Sequence, residues 1–214
     1  MLNETIEPVP LGERAVTVLL ESPCVGVAAL LDAHEAQGER VTKAFAMREL
    51  PFRDLVTVRG EPGDAAFAEA FARVVGCAVP TQPNTRVSAA QYDVLWLGPD
   101  EWLVRSREAV NAGVLEDALV RALNGMWASA VDVGSGYTVL ELSGARVREV
   151  LARGCPLDLH PRMFGEGQCA QSFYFKASIM LIPTGAERFE VVVRRSFADY
   201  FCRIMLDAAA PLVS

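Results

Sequence analysis

The chain predicts an α+β fold made of two ferredoxin-like units, each a strand, a helix, a hairpin and a second helix. Three observations carry that prediction. Short apolar runs suit half-buried strands, while the segments between them place apolar residues at helical spacing. Turn sequences rich in Gly, Pro and Asp punctuate these runs. The same order of elements then occurs twice, with matching sizes and unrelated residues, so the architecture is antiparallel sheets covered by helices with approximate internal duplication. At 214 residues and 51% hydrophobic, the chain can bury a core large enough for one domain or for two lobes sharing an interface.

Residues 1–52 form an N-terminal region expected to pack on the core; the first lobe spans 53–130 and the second 131–214. In the first lobe, Arg53 to Arg59 reads as a strand. Pro62, Gly63 and Asp64 introduce a helix whose Phe67, Phe71, Val74 and Val75 recur at helical spacing before Gly76. A loop at Pro80 to Asn84 leads to two strands, Tyr92 to Leu97 and Glu101 to Arg105, joined by the tight Gly98-Pro99-Asp100 turn. A second helix from Ala112 to Asn124 buries Leu115, Leu119 and Leu123 and is stopped by Gly125.

The second lobe repeats the order. Tyr137 to Leu142 is a strand, and Ser143 is a good N-cap acceptor for a helix from Gly144 to Arg153 with Val147, Val150 and Leu151 as its apolar stripe. Gly154 ends that helix and Pro156 forbids continuation. A strand from Ser172 to Ile182, a turn at Pro183-Thr184-Gly185 and a strand from Phe189 to Arg194 follow. In the last helix Ser196 and Asp199 make a capping-box-like start, and Phe197, Tyr200, Phe201, Ile204 and Met205 share one face.

Composition narrows the function. A formal charge of −7 disfavours a phosphate backbone or an anionic membrane as partner, because both reward clustered Lys and Arg. The longest apolar stretches, Val25 to Leu31 and Ile179 to Ile182, fall far short of the roughly 20 residues a membrane helix needs. The first fourteen residues carry three Glu where a secretory leader would carry positive charge, so cytoplasmic residence is the expectation. Cys24, Cys77, Cys155, Cys169 and Cys202 are odd in number and widely spaced, which suits buried free thiols better than a disulfide framework.

Catalytic groups are scarce. The two histidines are His34, in a polar and surface-like AHEAQGER segment, and His160. Cys155, Asp158, His160 and Cys169 are potential ligands within fifteen residues, yet they lack the paired short spacings of tetrahedral zinc sites. Gly165 to Ala170 matches a GxGxxA fingerprint but precedes a strand, leaving no helix N-terminus for a phosphate. Ser135 sits between glycines without the spacing of a nucleophile elbow. Asp100 and Glu101 are adjacent acids at a hairpin tip, expected to point oppositely into solvent. Trp96, Trp102, Trp127, Phe164, Phe173 and Phe175 could stack a pterin, but strand aromatics commonly fill cores, and exposed ones suit a protein interface. No catalytic, cofactor-binding or metal-binding residue is assigned.

The run DVGSGYTVLELSGARVREVLARGCPLDL from Asp132 to Leu159, together with LGPDEWLV at Leu97 to Val104 and RRSFADYF at Arg194 to Phe201, resembles the gamma subunit family of heterotetrameric sarcosine oxidase. The likeness runs from about Arg53 to the end. It implies a fold similar to the folate-binding domain of the glycine-cleavage T-protein. It implies, too, a non-catalytic subunit of a complex with alpha, beta and delta chains that oxidatively demethylates sarcosine to glycine, releasing hydrogen peroxide and formaldehyde or methylenetetrahydrofolate. By the same resemblance FAD, FMN, NAD, tetrahydrofolate and zinc belong to the other chains. Loops commonly carry recognition, so Cys155 to Cys169 and the hairpin at Pro99 are the candidate interfaces. The alternative is a free-standing folate-binding or aminomethyltransferase-like protein, since fold alone does not settle function.

Overall fold

The computed structural model describes residues 9–11, 14–16, 21–109 and 113–213. Glu4, Glu7 and Glu13, the three glutamates of the first fourteen residues, and Ala112 lie outside them. A short ribbon of β1 (Val9–Leu11) and β2 (Arg14–Val16) precedes α1 (Ala28–Glu35), α2 (Glu39–Ala44) and β3 (Ala46–Leu50). The first lobe follows as β4 (Leu55–Arg59), α3 (Ala65–Val75), β5 (Arg86–Ser88), β6 (Tyr92–Gly98), β7 (Glu101–Ser106), α4 (Val114–Ala122) and β8 (Ser129–Asp132). The second is β9 (Tyr137–Ser143), α5 (Val147–Ala152), β10 (Ala170–Tyr174), β11 (Ala177–Gly185), β12 (Arg188–Arg194) and α6 (Ala198–Val213).

Two five-stranded antiparallel sheets result, with orders β5-β6-β7-β4-β8 and β10-β11-β12-β9-β3. The first four strands of each order occupy equivalent places, so the duplication expected from element order is a duplication of topology. The fifth strand differs. In the first sheet β8 arrives after the second helix of the lobe; in the second, β3 arrives from ahead of the first lobe.

Period-two alternation builds the layers. Val56, Val58, Val94, Trp102 and Val104 turn toward Phe67, Phe71, Leu115 and Leu119 of α3 and α4. Leu140, Leu142, Leu181, Val191 and Val193 turn toward Val147, Val150 and Leu151 of α5 and Phe201, Cys202 and Met205 of α6. The opposite faces, with Leu55, Leu95, Leu103, Val139, Met180, Ile182 and Val192, meet in a third cluster between the sheets. Helices therefore lie outside and the two sheets are stacked within. Each large apolar side chain buried this way contributes about 1.5–3 kcal/mol, which makes α3, with two fully buried phenylalanines, a strongly anchored helix.

Local signals held in the first lobe. The Asp64 carboxylate caps α3 by accepting from Ala66 N at 2.9 Å, and Gly76 ends the helix in the left-handed region. The second lobe departs from expectation in four places. Ser143 does not cap α5: it is the last residue of β9, paired to both Arg188 and Ala46, and the helix begins only at Val147. The intervening turn instead serves α2, whose carbonyls at Lys43 and Ala44 accept from the amides of Ala145 and Arg146. The expected strand from Ser172 to Ile182 is a hairpin that turns at Phe175 and Lys176, with Phe175 at φ 49°. Its ring fills space that only a glycine at 154 leaves open, since a Cβ there would stand 2.5 Å from it. Pro183 to Gly185 is not the turn but a bulged end of β11 opposite Phe189 and Arg188. Finally, Asp199 forms no capping box, because its carboxylate holds Arg203 Nε at 2.8 Å one turn along α6.

Candidate functional site

The motif residues singled out in the sequence do not converge. His34 is the clearest correction: it is buried, 8% exposed, with Nε2 2.9 Å from the Phe45 carbonyl and its ring edge-on to Phe45. The polar residues around it line the outer face of α1, while His34 turns inward with Leu31 one turn before it. Cys155 Sγ lies 3.6 Å from Ser172 Oγ at the helix-covered core, and Cys169 Sγ contacts the carbonyl of Thr85 at 3.3 Å on the other side of that sheet. Burial pushes the Cys169 thiol up to about 11. Asp158 accepts from His160 N at 3.0 Å and His160 Nδ1 accepts from Arg162 N, so both are used in shaping their loop. Among the described residues no three potential metal ligands gather. All five cysteines are free; Cys24 and Cys202 bring their sulfurs within 3.9 Å.

Gly165 to Ala170 is a clip between lobes. Gly167 O accepts from Arg86 N at 2.8 Å and Cys169 N donates to Asn84 O, and the chain then enters β10. Asp100 and Glu101 do not point apart: both reach Arg59, at 3.5 and 3.8 Å, because Asp100 belongs to the turn and Glu101 to the strand. The aromatics disperse as well. Trp102 is fully buried and donates from Nε1 to Pro80 O at 2.7 Å, Phe164 stacks on Phe189, and Phe173 and Phe175 are exposed. Trp127 is 97% exposed, beside a groove that includes Arg59, Glu61 and Asp100.

Two concave regions lie between the lobes. A cleft of about 570 Å³ opens between the stacked sheets, lined by Thr57, Leu97, Leu103, Gln171, Met180 and Arg194 among others, and among the described residues its wall has no carboxylate. Gln171 already donates from Nε2 to Leu97 O at 2.9 Å. A second cavity of about 180 Å³ sits where two lobe-crossing links run side by side, residues 51–54 from β3 to β4 and 133–136 from β8 to β9. The links are stitched by Val133 N donating to Leu55 O at 2.8 Å. Glu49, Arg53, Asp54, Asp132, Ser135 and Arg195 contribute to its wall.

The charges in that wall differ in how they are satisfied. Glu49 accepts from Thr138 Oγ1 at 2.5 Å and from the Ser22 hydroxyl. Asp132 Oδ1 accepts from Gly134 N at 2.7 Å. Asp54, 6% exposed, has no donor to its carboxylate among the described residues. Burial, and then the neighbouring Asp132, push it up to about 6. Arg53 is largely buried with Nε and Nη1 unpartnered among the described residues; the nearest carboxylate oxygen, on Glu108, stands 4.0 Å from Nη1. Burial holds the guanidinium below its ordinary value.

Beyond this cavity, Arg105, Asp93 and Glu190 form a buried ion network between the sheets, with Arg105 Nη2 donating to Asp93 Oδ2 at 2.6 Å and Nη1 paired to Glu190. Neither constellation was found by motif reading. Charged residues at otherwise apolar strand positions, such as Asp93 and Arg105, were the available signal.

Two duplicated antiparallel lobes with stacked sheets define the fold class of the glycine cleavage aminomethyltransferase. The structure of aminomethyltransferase T from Bartonella henselae superposes with a TM-score of 0.60 at 14% identity, covering 78% of this chain and 47% of that one. Within that class the assignment is direct: a sequence model described as the sarcosine oxidase, gamma subunit family matches residues 59–211. Sarcosine oxidase subunit gamma of Arthrobacter sp. is 36% identical over 84% of this chain and 86% of its own, and that of Corynebacterium sp. U-96 is 33% identical over 90% and 91%. The heterotetrameric sarcosine oxidase from Corynebacterium sp. U-96, solved with pyrrole 2-carboxylate, contains a chain that superposes with a TM-score of 0.81 at 30% identity over 91% of this chain and 97% of that one. The chain belongs to the sarcosine oxidase gamma subunit family.

Proposed function

We propose that this chain is the gamma subunit of a heterotetrameric sarcosine oxidase and that it serves assembly of the complex, not turnover. The observation that carries this is the cleft between the stacked sheets. Fold kinship raises the possibility of a folate site there, and a pterin-handling transferase needs a carboxylate to orient the ring and activate the amine. The wall of the inter-sheet cleft supplies none, and its amide side chain is already committed to Leu97 O. The residues present do not fit folate chemistry.

The partners are the alpha, beta and delta chains, and FAD, FMN, NAD, tetrahydrofolate and zinc reside there. Trp127, exposed beside the Pro99 hairpin, is the anchor expected at one contact, since tryptophans that lose all solvent at an interface dominate its energy. In the other candidate interface, the loop from Cys155 to Cys169, Leu159 and Phe164 face the core and Met163 faces out. No helix among the described residues is long and apolar enough to cross a membrane, and cytoplasmic assembly is proposed.

Co-expression of this chain with alpha, beta and delta tests the reading. The expected result is a stoichiometric complex with sarcosine-dependent peroxide production, and no binding of tetrahydrofolate by this chain alone in calorimetry. Failure to co-purify, combined with saturable folate binding by the lone chain, would overturn it in favour of a free-standing folate protein.

A further inference from the structure

We propose that the tip of the β10–β11 hairpin docks an apolar, carboxylate-bearing segment of a partner chain; the inference rests on the subunit reading above and gives it a surface. The tip carries two exposed aromatic rings two residues apart, Phe173 at 51% exposure and Phe175 at 45%. They serve different hollows. Phe173 lines the cleft between the stacked sheets, while Phe175 lines a groove of about 580 Å³ along the end of α6 with Ile204, Ala208 and Pro211. The turn causes that division: with φ at 49°, Phe175 leaves the row that Phe173 occupies, and its ring packs over Gly154 and edge-on to Tyr174. Those contacts cover one side of the ring and leave the other to the groove. Such a φ suits Gly or Asn at a hairpin turn, so the ring is held there at a cost to the backbone. Exposed apolar side chains that border hollows, and do not merely stand singly, mark surfaces that associate.

Charge selects the occupant. The chain as a whole carries −7, yet Arg194 in the wall of the cleft, Lys176 on the tip and Arg153 in the wall of the groove stand against the single carboxylate of Asp207. None of the three cations forms an ion pair among the described residues, and Arg194 instead lies over the Tyr137 ring, 5.4 Å from its centroid. The groove beside Trp127 differs in this respect, because its Arg59 is already held by Asp100 and Glu101. A segment with apolar side chains for the two hollows and carboxylates for the three cations therefore complements this tip in both shape and sign. Three cations are too few for a phosphate backbone, whose binding rests on many such contacts. A second copy of this chain, itself acidic, is the rival occupant that the test must separate.

The test compares hydrogen exchange of the full chain alone and in the assembly purified after co-expression with alpha, beta and delta. Amides of residues 171–178 are expected to exchange roughly tenfold or more slowly in the assembly. Phe173→Ser is expected to weaken association by roughly tenfold, as for a buried aromatic anchor, and Lys176→Glu by roughly three- to tenfold at low salt, an effect that shrinks as salt screens the charge. Val120→Ser, on the outer side of α4 and 50% exposed, is expected to change nothing. The lone chain is expected to sediment as a monomer. An assembly that forms with residues 171–178 unprotected would overturn the proposal and leave the subunit reading standing, without relying on any variant. Equal effects of Lys176→Glu at low and high salt would overturn the acidic occupant, and a dimer of the lone chain that Phe173→Ser dissolves would replace it with a second copy. Failure of the unsubstituted chain to assemble at all would overturn the subunit reading and this proposal together.

Discussion

Replacing Arg105 by Met should reverse the way stability responds to pH. Arg105 stands directly opposite Asp93 across the β6–β7 pair, on the face shared with Leu103 and Leu95, and meets Glu190 from the other sheet. Arg105 is 4% exposed and Asp93 5%. Burial works to raise the Asp93 carboxyl, but the Ser88 hydroxyl and the Arg105 guanidinium together hold it below its ordinary 3.8. In the wild type, then, Asp93 contributes stability that is present above that ordinary value and is lost as pH falls through the lower folded one. Removing one member of a buried ion network costs about 3–5 kcal/mol, because the carboxylates left behind are desolvated without a counter-charge. Without Arg105 only the Ser88 hydroxyl and the Arg86 charge still oppose burial, so the folded value of Asp93 rises and the native state shifts toward the protonated acid. The loss is then largest near neutral pH and shrinks as pH falls toward about 5. Urea denaturation followed by circular dichroism at about pH 5 and about pH 7.5 measures both terms. The double variant Arg105→Met with Asp93→Leu should recover most of the loss, since an apolar replacement of a buried pair is often neutral. A loss for Arg105→Met below about 1 kcal/mol, the range of exposed pairs, or equal at the two pH values, would refute the reasoning.

Four further outcomes are expected. Trp127→Ser should leave the midpoint of thermal unfolding of this chain unchanged while lowering co-purification with its partner chains, read as band stoichiometry after affinity capture. Gly144→Ala should cost about 1–3 kcal/mol from its φ of +116° alone, and more from a Cβ placed 2.5 Å from Ala44 O, measurable by denaturant titration. Trp102→Phe should cost about 1–3 kcal/mol through the lost bond to Pro80 O and the void behind it. Asp54→Asn should flatten a different pH dependence: an acid whose folded value is raised from 3.8 to about 6 costs stability as pH rises through that window, so the variant should be more stable above it. Thermal scans across pH should show a gain of roughly 1–2 kcal/mol near pH 7, less than the full shift implies because the cavity admits water.

What the sequence revealed divides by interaction range. α3 was legible in full, because Asp64, Gly76 and the Phe67–Phe71 spacing are all local signals. Ser143 misled because the same residue type suits a cap and a strand end, and pairing to β12 and β3 decides between them. The hairpin at Phe175 carried no Gly or Asn; its positive φ is maintained by packing against Gly154, a residue that reads locally only as a helix stop. His34 was hidden by polar neighbours that occupy the other face of its helix. The cavity between the links was invisible for a topological reason: Asp54 and Asp132 are far apart in sequence and become neighbours only when β8 pairs with β4. β8, only four residues long, is too short for its alternation to announce a strand.

The unequal origin of the fifth strands sets an order for building the molecule. Every strand of the first sheet lies within one stretch, from β4 to β8, so that sheet can close on itself as soon as α4 and β8 have left the ribosome. β3 is made earlier than any of them, yet its partner β9 follows the whole first lobe, and the loop its pairing closes encloses that lobe entirely. β3 therefore waits, unpaired, while a finished neighbour folds beside it, and its capture by β9 ties the segment ahead of the first lobe to the second.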